Sequence, residues 1–176
     1  MVFIVMGVSG CGKTTVGQLL AKEINIPFYD ADDFHPKDNV EKMQNGLPLN
    51  DDDRKPWLTL LAKNISDWNK SGGAVLACSA LKKSYRYLLK TGSDSPELSK
   101  QVRFIYLKGS KELIYKRLLN RSHHYMPPDL LESQFRDLEE PHDALYVQID
   151  QEPQKIVHDI IDHLEESKSN PHSQLE

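Results

Sequence analysis

The sequence predicts one α/β domain with three layers, in which helices cover both faces of a five-stranded parallel sheet. Short runs that are apolar on both faces alternate with stretches of helical periodicity, and this alternation is typical of covered parallel sheets. The chain has 176 residues, the length of one domain. Its composition, 39% hydrophobic and 27% charged, is that of a globular protein.

Five segments are predicted as strands, and the intervals between them are predicted as helices with apolar residues at three- and four-residue spacing. The predicted strands are Phe3–Met6, Phe28–Asp30, Ala74–Cys78, Val102–Leu107 and Tyr146–Ile149. We assign residues 1–166 to the folded domain. Residues 167–176 are predicted to be a polar tail, because they contain little that could be buried.

Charge and cysteine content exclude several classes of protein. The 26 acidic and 22 basic residues give a net charge of −4, which argues against general binding to nucleic acid or to a membrane surface. Cys11 and Cys78 are too few for a disulfide scaffold and have no zinc-site spacing. The apolar opening at Val2 to Met6 is too short to span a membrane. We therefore expect a cytoplasmic protein.

The clearest motif is GVSGCGKT, from Gly7 to Thr14, which matches G-x-x-x-x-G-K-[ST] between a predicted strand and a predicted helix. Its glycines let the backbone N–H groups turn toward phosphate oxygens, and the helix N-terminus adds a positive dipole. Lys13 is expected to reach the β- and γ-phosphates, and the Thr14 hydroxyl to ligate Mg²⁺. The motif predicts a P-loop NTPase fold. The GTPase signature N-K-x-D is missing from the sequence, so a GTPase switch is not expected.

Acidic residues follow the second predicted strand. Asp30 and Asp32 are two positions apart, so on an extended chain they point to the same side. Ligands of parallel sheets bind beyond the carboxyl ends of the strands. One carboxylate can therefore support Mg²⁺ through water while the other faces an acceptor hydroxyl. The alternative is a solvated acidic turn, which is the favoured interpretation for Asp33.

Basic residues are found at two further predicted helix starts. Arg54 lies near a helix N-terminus that Asp51 or Asp52 is expected to cap, and a cation there opposes the helix dipole. It either meets a substrate carboxylate or phosphate, or is neutralised by the neighbouring aspartates. Lys82 and Arg86 are four apart and share a predicted helix face, which either holds an anion or is solvated. Ser79, just before them, can cap this helix and offer its hydroxyl to a ligand.

A third basic group is predicted to form a helical lid at about residues 117–128. Arg117, Arg121, His123 and His124 precede Met126-Pro127-Pro128. Phosphoryl transfer needs a segment that excludes water and neutralises charge on the transferred group. A solvated basic loop is the alternative interpretation.

Taken together, these segments resemble the gluconokinases, small P-loop carbohydrate kinases related to shikimate kinases. The resemblance covers most of the chain between Met6 and Pro141. The segments that carry it are MGVSGCGKTT, FYDADDFHP, NVEKMQNGLPLNDDDRKPWL, ACSALKKSYR, FIYLKG, RLLNRSHHYMPPDLLESQF and LEEP. NDDDRKPWL and the CSALKK segment are far more specific to that family than the P-loop is.

The resemblance implies ATP-dependent phosphorylation of the C6 hydroxyl of D-gluconate, with Mg²⁺, by a homodimer. It implies that Asp30 supports the metal with Thr14, and that Lys13, Asp32 and Arg121 are catalytic, Asp32 as base or orienting group. The implied nucleotide-binding residues are Ser9, Gly10, Cys11, Gly12, Lys13, Thr14, Thr15, Arg117 and Arg121, with the loop from Asp150 to Pro153 beside the base. The implied substrate-binding residues are Asp32, His35, Arg54, Ser79, Lys82, Arg86 and His124.

Two other functions are kept as alternatives. A shikimate-type or other small-metabolite kinase would use the same scaffold. A nucleotide-binding module without catalysis is the other alternative, and Asp30, Asp32 and the predicted lid argue against it.

Overall fold

A parallel sheet of five strands lies at the centre of the fold in the computed structural model, which describes residues 1–92, 100–120 and 128–169. The strands are β1 (Val2–Met6), β2 (Phe28–Asp30), β3 (Ala74–Ala77), β4 (Val102–Lys108) and β5 (Ala144–Gln148). Their order is β2-β3-β1-β4-β5, and every neighbouring pair is parallel. The central strand β1 therefore lies between β3 and β4, and all five carboxyl ends meet at one edge.

Helices connect the strands. They are α1 (Lys13–Glu23), α2 (Lys37–Gln44), α3 (Asp51–Lys70), α4 (Lys83–Thr91), α5 (Lys111–Leu119), α6 (Pro128–Asp137) and α7 (Pro153–Ser169), and a 3₁₀ helix (Ala31–Phe34) follows β2. Asn50, rather than the expected Asp51 or Asp52, caps α3. Its side chain accepts from the Asp53 N–H at 2.8 Å, and the Asp53 carboxylate accepts from the Asn50 N–H at 3.0 Å. This reciprocal capping box fixes where α3 begins.

The predicted three layers are confirmed by two separate cores, one on each face of the sheet. Successive strand side chains point to opposite faces. On β1, Val5 packs into the core that contains α1, α5 and α7, whereas Ile4 packs into the core that contains α3 and α4. Both side chains are fully buried, so the P-loop strand is held from both sides.

Several predicted boundaries differ from the structure. β1 starts one residue earlier and β4 ends one residue later than predicted, and β3 ends one residue earlier. The fifth strand was predicted at Tyr146–Ile149 but spans Ala144–Gln148, because Ala144 already pairs with Phe104 of β4, whereas Ile149 is buried just beyond the strand. Helix α7 extends to Ser169, into the predicted tail. In this last part of the helix the hydroxyls of Ser167 and Ser169 donate to the carbonyls of His163 and Glu165, four residues earlier. Across the described ranges, we find no helix with the length and apolarity needed to cross a bilayer.

Candidate active site at the carboxyl edge of the sheet

The loops that follow β1, β2 and β3 converge at one edge of the sheet. Because the strands are parallel, this is the edge at which ligands of such sheets bind. The Gly7 N–H donates to the Ser79 carbonyl at 3.3 Å, so the turn after β3 lies against the start of the P-loop. Asp30 ends β2 on the other side of β3. The segments predicted to carry chemistry are therefore neighbours.

The P-loop has the backbone conformation that the motif predicts. Gly7, Gly10 and Gly12 have φ angles of 145°, 85° and 100°, a region that side chains rarely adopt. Helix α1 begins directly after Gly12 and has neither a side-chain cap nor an acidic residue in its first turn. Its first N–H groups and its dipole are thus directed at the loop, as in an anion-binding helix N-terminus.

Lys13 folds back over this loop. Its Nζ donates to the carbonyls of Gly7 and Val8, at 3.1 Å each. Carbonyl oxygens are weaker partners for an ammonium group than charged phosphate oxygens. The cation is therefore held above the phosphate-binding loop by contacts that a phosphate can replace.

Oxygen atoms suited to magnesium are found beside the loop. The Thr14 hydroxyl donates to Asp30 Oδ2 at 2.9 Å, and Asp30 Oδ1 accepts from the Asp32 N–H at 3.1 Å. Hydroxyl and carboxylate oxygens are the ligands that Mg²⁺ prefers, and it commonly takes only one or two carboxylates from the protein. Thr14 and Asp30 therefore fit a magnesium ion.

Asp32 projects from the 3₁₀ helix with 87% of its side chain exposed. The surrounding protein displaces part of the hydration of its ionised form, which raises the pKa of Asp32, and the negative charge of Asp30 raises it further. The positive charge of Lys13 acts in the opposite direction. An exposed carboxylate with a raised pKa is suited to accept a hydrogen bond or a proton from a substrate hydroxyl.

His35 lies behind Asp32 and is almost fully buried. Only 5% of its side chain is exposed, and its ring stacks on Trp57 with centroids 4.2 Å apart. Burial lowers the pKa of His35, so the ring is neutral at physiological pH. Asn39 Nδ2 lies 3.5 Å from His35 Nδ1, and His35 Nε2 lies 3.8 Å from Asp32 Oδ1. His35 thus faces the carboxylate of Asp32.

Two predicted cations share a cavity of about 410 Å³. Arg54 and Lys82 lie on its wall, and we refer to it as the Arg54 cavity. Its lining residues are Leu49, Asn50, Asp51, Asp52, Arg54, Lys82 and Asp137. The cavity is formed by the start of α3, the turn before α4 and the end of α6.

The prediction that Lys82 and Arg86 share a helix face is wrong, and Arg86 is not among the residues that line this cavity. Lys82 has extended backbone angles and precedes α4, so it does not share a helix face with Arg86. The Arg86 side chain is buried, and its Nη1 donates to the carbonyls of Ala80 and Leu81 at 2.9 and 2.8 Å. Ala80 has a φ of 45°, a conformation that needs support in a residue other than glycine. Arg86 supports the turn that carries Ser79 and Lys82.

Arg86→Met is therefore expected to destabilise the fold. Two buried carbonyls lose their charged donor, which costs on the order of 2 kcal/mol in free energy of unfolding. Urea denaturation followed by circular dichroism measures this destabilisation. The exposed residue Arg136 provides the control, since Arg136→Met removes the same charge without a buried contact. Unchanged stability of Arg86→Met would contradict the supporting role.

Several of the residues predicted to bind the nucleotide line a second cavity of about 280 Å³, which we refer to as the Arg117 cavity. It is lined by Gly10, Cys11, Gly12, Thr15, Val16, Arg117, Asn120, Gln151, Pro153 and Ile156. Arg117 donates to the carbonyl of Ile149, which holds α5 next to the loop before α7. Cys11 is buried, and burial raises the pKa of its thiol, so it is a packing residue with little thiolate character.

Gln134 of α6 reaches the P-loop, an interaction that sequence reasoning did not predict. Its Oε1 accepts from the Ser9 N–H at 2.6 Å. The sequence contains a signal for it, because Gln134 interrupts an apolar stripe that includes Leu131 and Phe135. A polar residue on a packed face needs a hydrogen-bond partner, and here the partner is the P-loop backbone.

Arg121, His123 and His124 lie outside the described residues. So does the rest of the segment 121–127, which contains most of the predicted lid. The elements on either side of it are described: α5 ends at Leu119, and α6 begins at Pro128.

Comparison with known sequences gives one family and a set of similar proteins. The sequence profile of the shikimate kinase family matches residues 9–165. The chain is 51% identical over 153 residues to a probable gluconokinase of Rattus norvegicus, covering 80% of this chain and 83% of the relative. It is 42% identical over 174 residues to the thermoresistant gluconokinase of Escherichia coli strain K12, covering 95% of both.

The solved structures that superpose on this chain include the same kinds of protein as the sequence comparison. The crystal structure of a gluconokinase from Sinorhizobium meliloti 1021 superposes with a TM-score of 0.85 at 35% identity, over 99% of this chain and 97% of that one. Shikimate kinase from Aquifex aeolicus superposes with a TM-score of 0.60 at 20% identity, over 96% of this chain and 98% of that one. The second likeness concerns the fold alone.

Proposed function

We propose that this chain, which belongs to the shikimate kinase family and within it to the gluconokinases, transfers the γ-phosphoryl group of ATP to the C6 hydroxyl of D-gluconate. The products are 6-phosphogluconate and ADP. One observation carries the proposal: a phosphate-binding loop with Lys13 and a cavity with the cations Arg54 and Lys82 open at the same edge of the sheet.

The P-loop side of the site binds ATP. The N–H groups at the start of α1 bind phosphate oxygens, and Lys13 exchanges the Gly7 and Val8 carbonyls for the β- and γ-phosphates. Thr14 and Asp30 hold Mg²⁺, which neutralises phosphate charge when bound. Arg117 and the loop from Asp150 to Pro153 contact the nucleoside at the Arg117 cavity.

The other side of the site binds the sugar acid. Arg54 and Lys82 bind the carboxylate of the sugar acid, and Ser79 and His35 form hydrogen bonds with its hydroxyl groups. Asp32 accepts a hydrogen bond from the C6 hydroxyl and either takes its proton or aligns its oxygen for in-line attack. Arg121 and His124 belong to the proposed lid that excludes water while the phosphoryl group moves.

We also propose a cytoplasmic homodimer. Both cysteines are free thiols, as a reducing compartment allows. Leu60 on α3 and Tyr87 on α4 are exposed apolar side chains on the same layer of the fold, and a partner subunit docked on this layer would cover them.

A substrate panel tests the proposed reaction. With Mg-ATP and coupled detection of ADP, we expect turnover of D-gluconate and little or none of shikimate or of the neutral polyol D-glucitol, because the carboxylate and the extended polyol are both recognised. NMR of the product should show the phosphate on C6. Turnover of shikimate without turnover of gluconate would favour the shikimate-type alternative.

A further inference from the structure

Four side chains at the Arg54 cavity form one hydrogen-bonded cluster. Asp51 Oδ1 accepts from Lys82 Nζ at 2.8 Å and from the Tyr85 hydroxyl. The same hydroxyl accepts from Arg54 Nη1 at 3.1 Å. We refer to Asp51, Arg54, Lys82 and Tyr85 as the Asp51 cluster. Tyr85 therefore lies between the carboxylate of Asp51 and the guanidinium of Arg54.

Tyr85 also provides a fixed surface for both cations. Its ring is buried, and the Arg54 and Lys82 charges lie 5.6 and 5.5 Å from its centroid. Two cations held this close repel each other unless a negative charge lies between them. Asp51 supplies that charge: the hydrogen bond from Lys82, followed by that from Tyr85, lowers the pKa of Asp51 and keeps it ionised.

The charges around the Arg54 cavity limit which ligands fit. Two cations, Arg54 and Lys82, face three aspartates, Asp51, Asp52 and Asp137. A ligand with one carboxylate and several hydroxyl groups satisfies this mixture, since the hydroxyls donate to aspartate oxygens. A ligand with a second negative charge meets repulsion from these carboxylates, which no further cation among the described residues of the cavity wall offsets.

Asp51 differs from Asp52 in its contacts. Asp51 is bound to Lys82 and Tyr85 and is therefore held in the cavity. Both carboxylates are exposed, but Asp52 has no side-chain hydrogen bond or ion pair within the described part of the chain. The two residues carry the same charge on adjacent positions of α3 and both line the cavity, but only Asp51 is fixed beside the two cations. Asp52→Asn therefore serves as a control for the removal of a charge on the cavity wall that is not fixed in this way and is more strongly screened by water.

We propose that Asp51 is a specificity-determining residue: it holds Lys82 and Tyr85 in place and restricts the Arg54 cavity to sugar acids with a single negative charge. The proposal rests on the proposed function, because it assumes that this cavity binds the sugar acid.

Asp51→Asn and Asp52→Asn test the proposal against a series of ligands of increasing charge. D-glucitol is neutral, D-gluconate has one carboxylate, and D-glucarate has two and no C6 hydroxyl, so it binds without reacting. Dissociation constants come from calorimetry with the intact protein. We expect the ratio of the glucarate to the gluconate constant to fall about fivefold in Asp51→Asn and less than twofold in Asp52→Asn. The change in glucitol affinity measures how much the carboxylate contributes through hydrogen bonds to hydroxyl groups alone.

Lys82→Met is a second variant, in which the ratio of the dissociation constants is expected to change in the opposite direction. It leaves Asp51 without its counter-ion, so the glucarate-to-gluconate ratio should rise. An unchanged ratio in Asp51→Asn, or equal falls in both asparagine variants, would overturn the proposal, as would a wild-type protein that binds neither acid. Binding of gluconate without phosphorylation would overturn the proposed reaction alone, because the ratios do not depend on turnover.

Discussion

Lys13→Ala is expected to lower kcat with D-gluconate and Mg-ATP on the order of a thousandfold while the protein stays folded. In phosphoryl transfer the protein contributes mainly position and charge, and removing one charged contact to the transferred group has an effect of this size. Lys13 is the P-loop cation, and its hydrogen bonds join it to two backbone carbonyls of the loop, those of Gly7 and Val8, and not to a core side chain. Steady-state kinetics with coupled ADP detection measure the decrease.

Lys22→Ala is the matched control for Lys13. Both lysines belong to α1, but Lys22 is exposed in its last turn, far along the helix from the P-loop. We expect normal kcat and normal thermal unfolding for Lys22→Ala, and normal unfolding for Lys13→Ala. If Lys13→Ala retained a tenth of the wild-type kcat or more, Lys13 would not be the cation that the transfer depends on.

The P-loop was predictable because all of its determinants are adjacent in sequence. The strand, the glycines and the start of α1 lie within Val2 to Thr14, and each glycine has the positive φ that the motif requires. The fold class was predictable for a similar reason, because the central strands β1, β3 and β4 are short and mostly apolar. β5 is one of the two edge strands and is only partly buried, so its apolar pattern is weaker and its predicted start was wrong.

The details of the Arg54 cavity depend on packing between distant segments. Asp51 meets Tyr85 only because α3 and α4 lie together, and Gln134 meets Ser9 across 125 positions of the chain. Neither pair has a local signature. The prediction that Lys82 and Arg86 share a helix face was wrong because four-residue spacing means a shared face only within one helix. The turn at Ala80 delays the start of α4 to Lys83, and this turn is held by tertiary contacts from Arg86 itself.

Asp32→Asn is expected to lower kcat at least about a hundredfold, with little change in the KM for ATP. Asparagine keeps the size of the side chain and can still orient a hydroxyl through its carbonyl oxygen, but it cannot take a proton. General-base contributions are typically about a hundredfold or more. Asp32 faces the neutral ring of His35, and its raised pKa makes it a better proton acceptor than an ordinary aspartate. Measurement of kcat and both KM values separates the transfer step from ATP binding.

Asp33→Asn is the control that shows whether the decrease in kcat is specific to Asp32. Asp33 is the next residue of the same 3₁₀ helix, it is exposed, and it carries the same charge. If kcat fell equally in both variants, the effect would come from the local negative potential and not from contact with the acceptor hydroxyl. If Asp32→Asn kept a third or more of the wild-type kcat, Asp32 would act as an orienting group at most. A loose transition state, in which the hydroxyl loses its proton late, would account for that result because little base catalysis is then required.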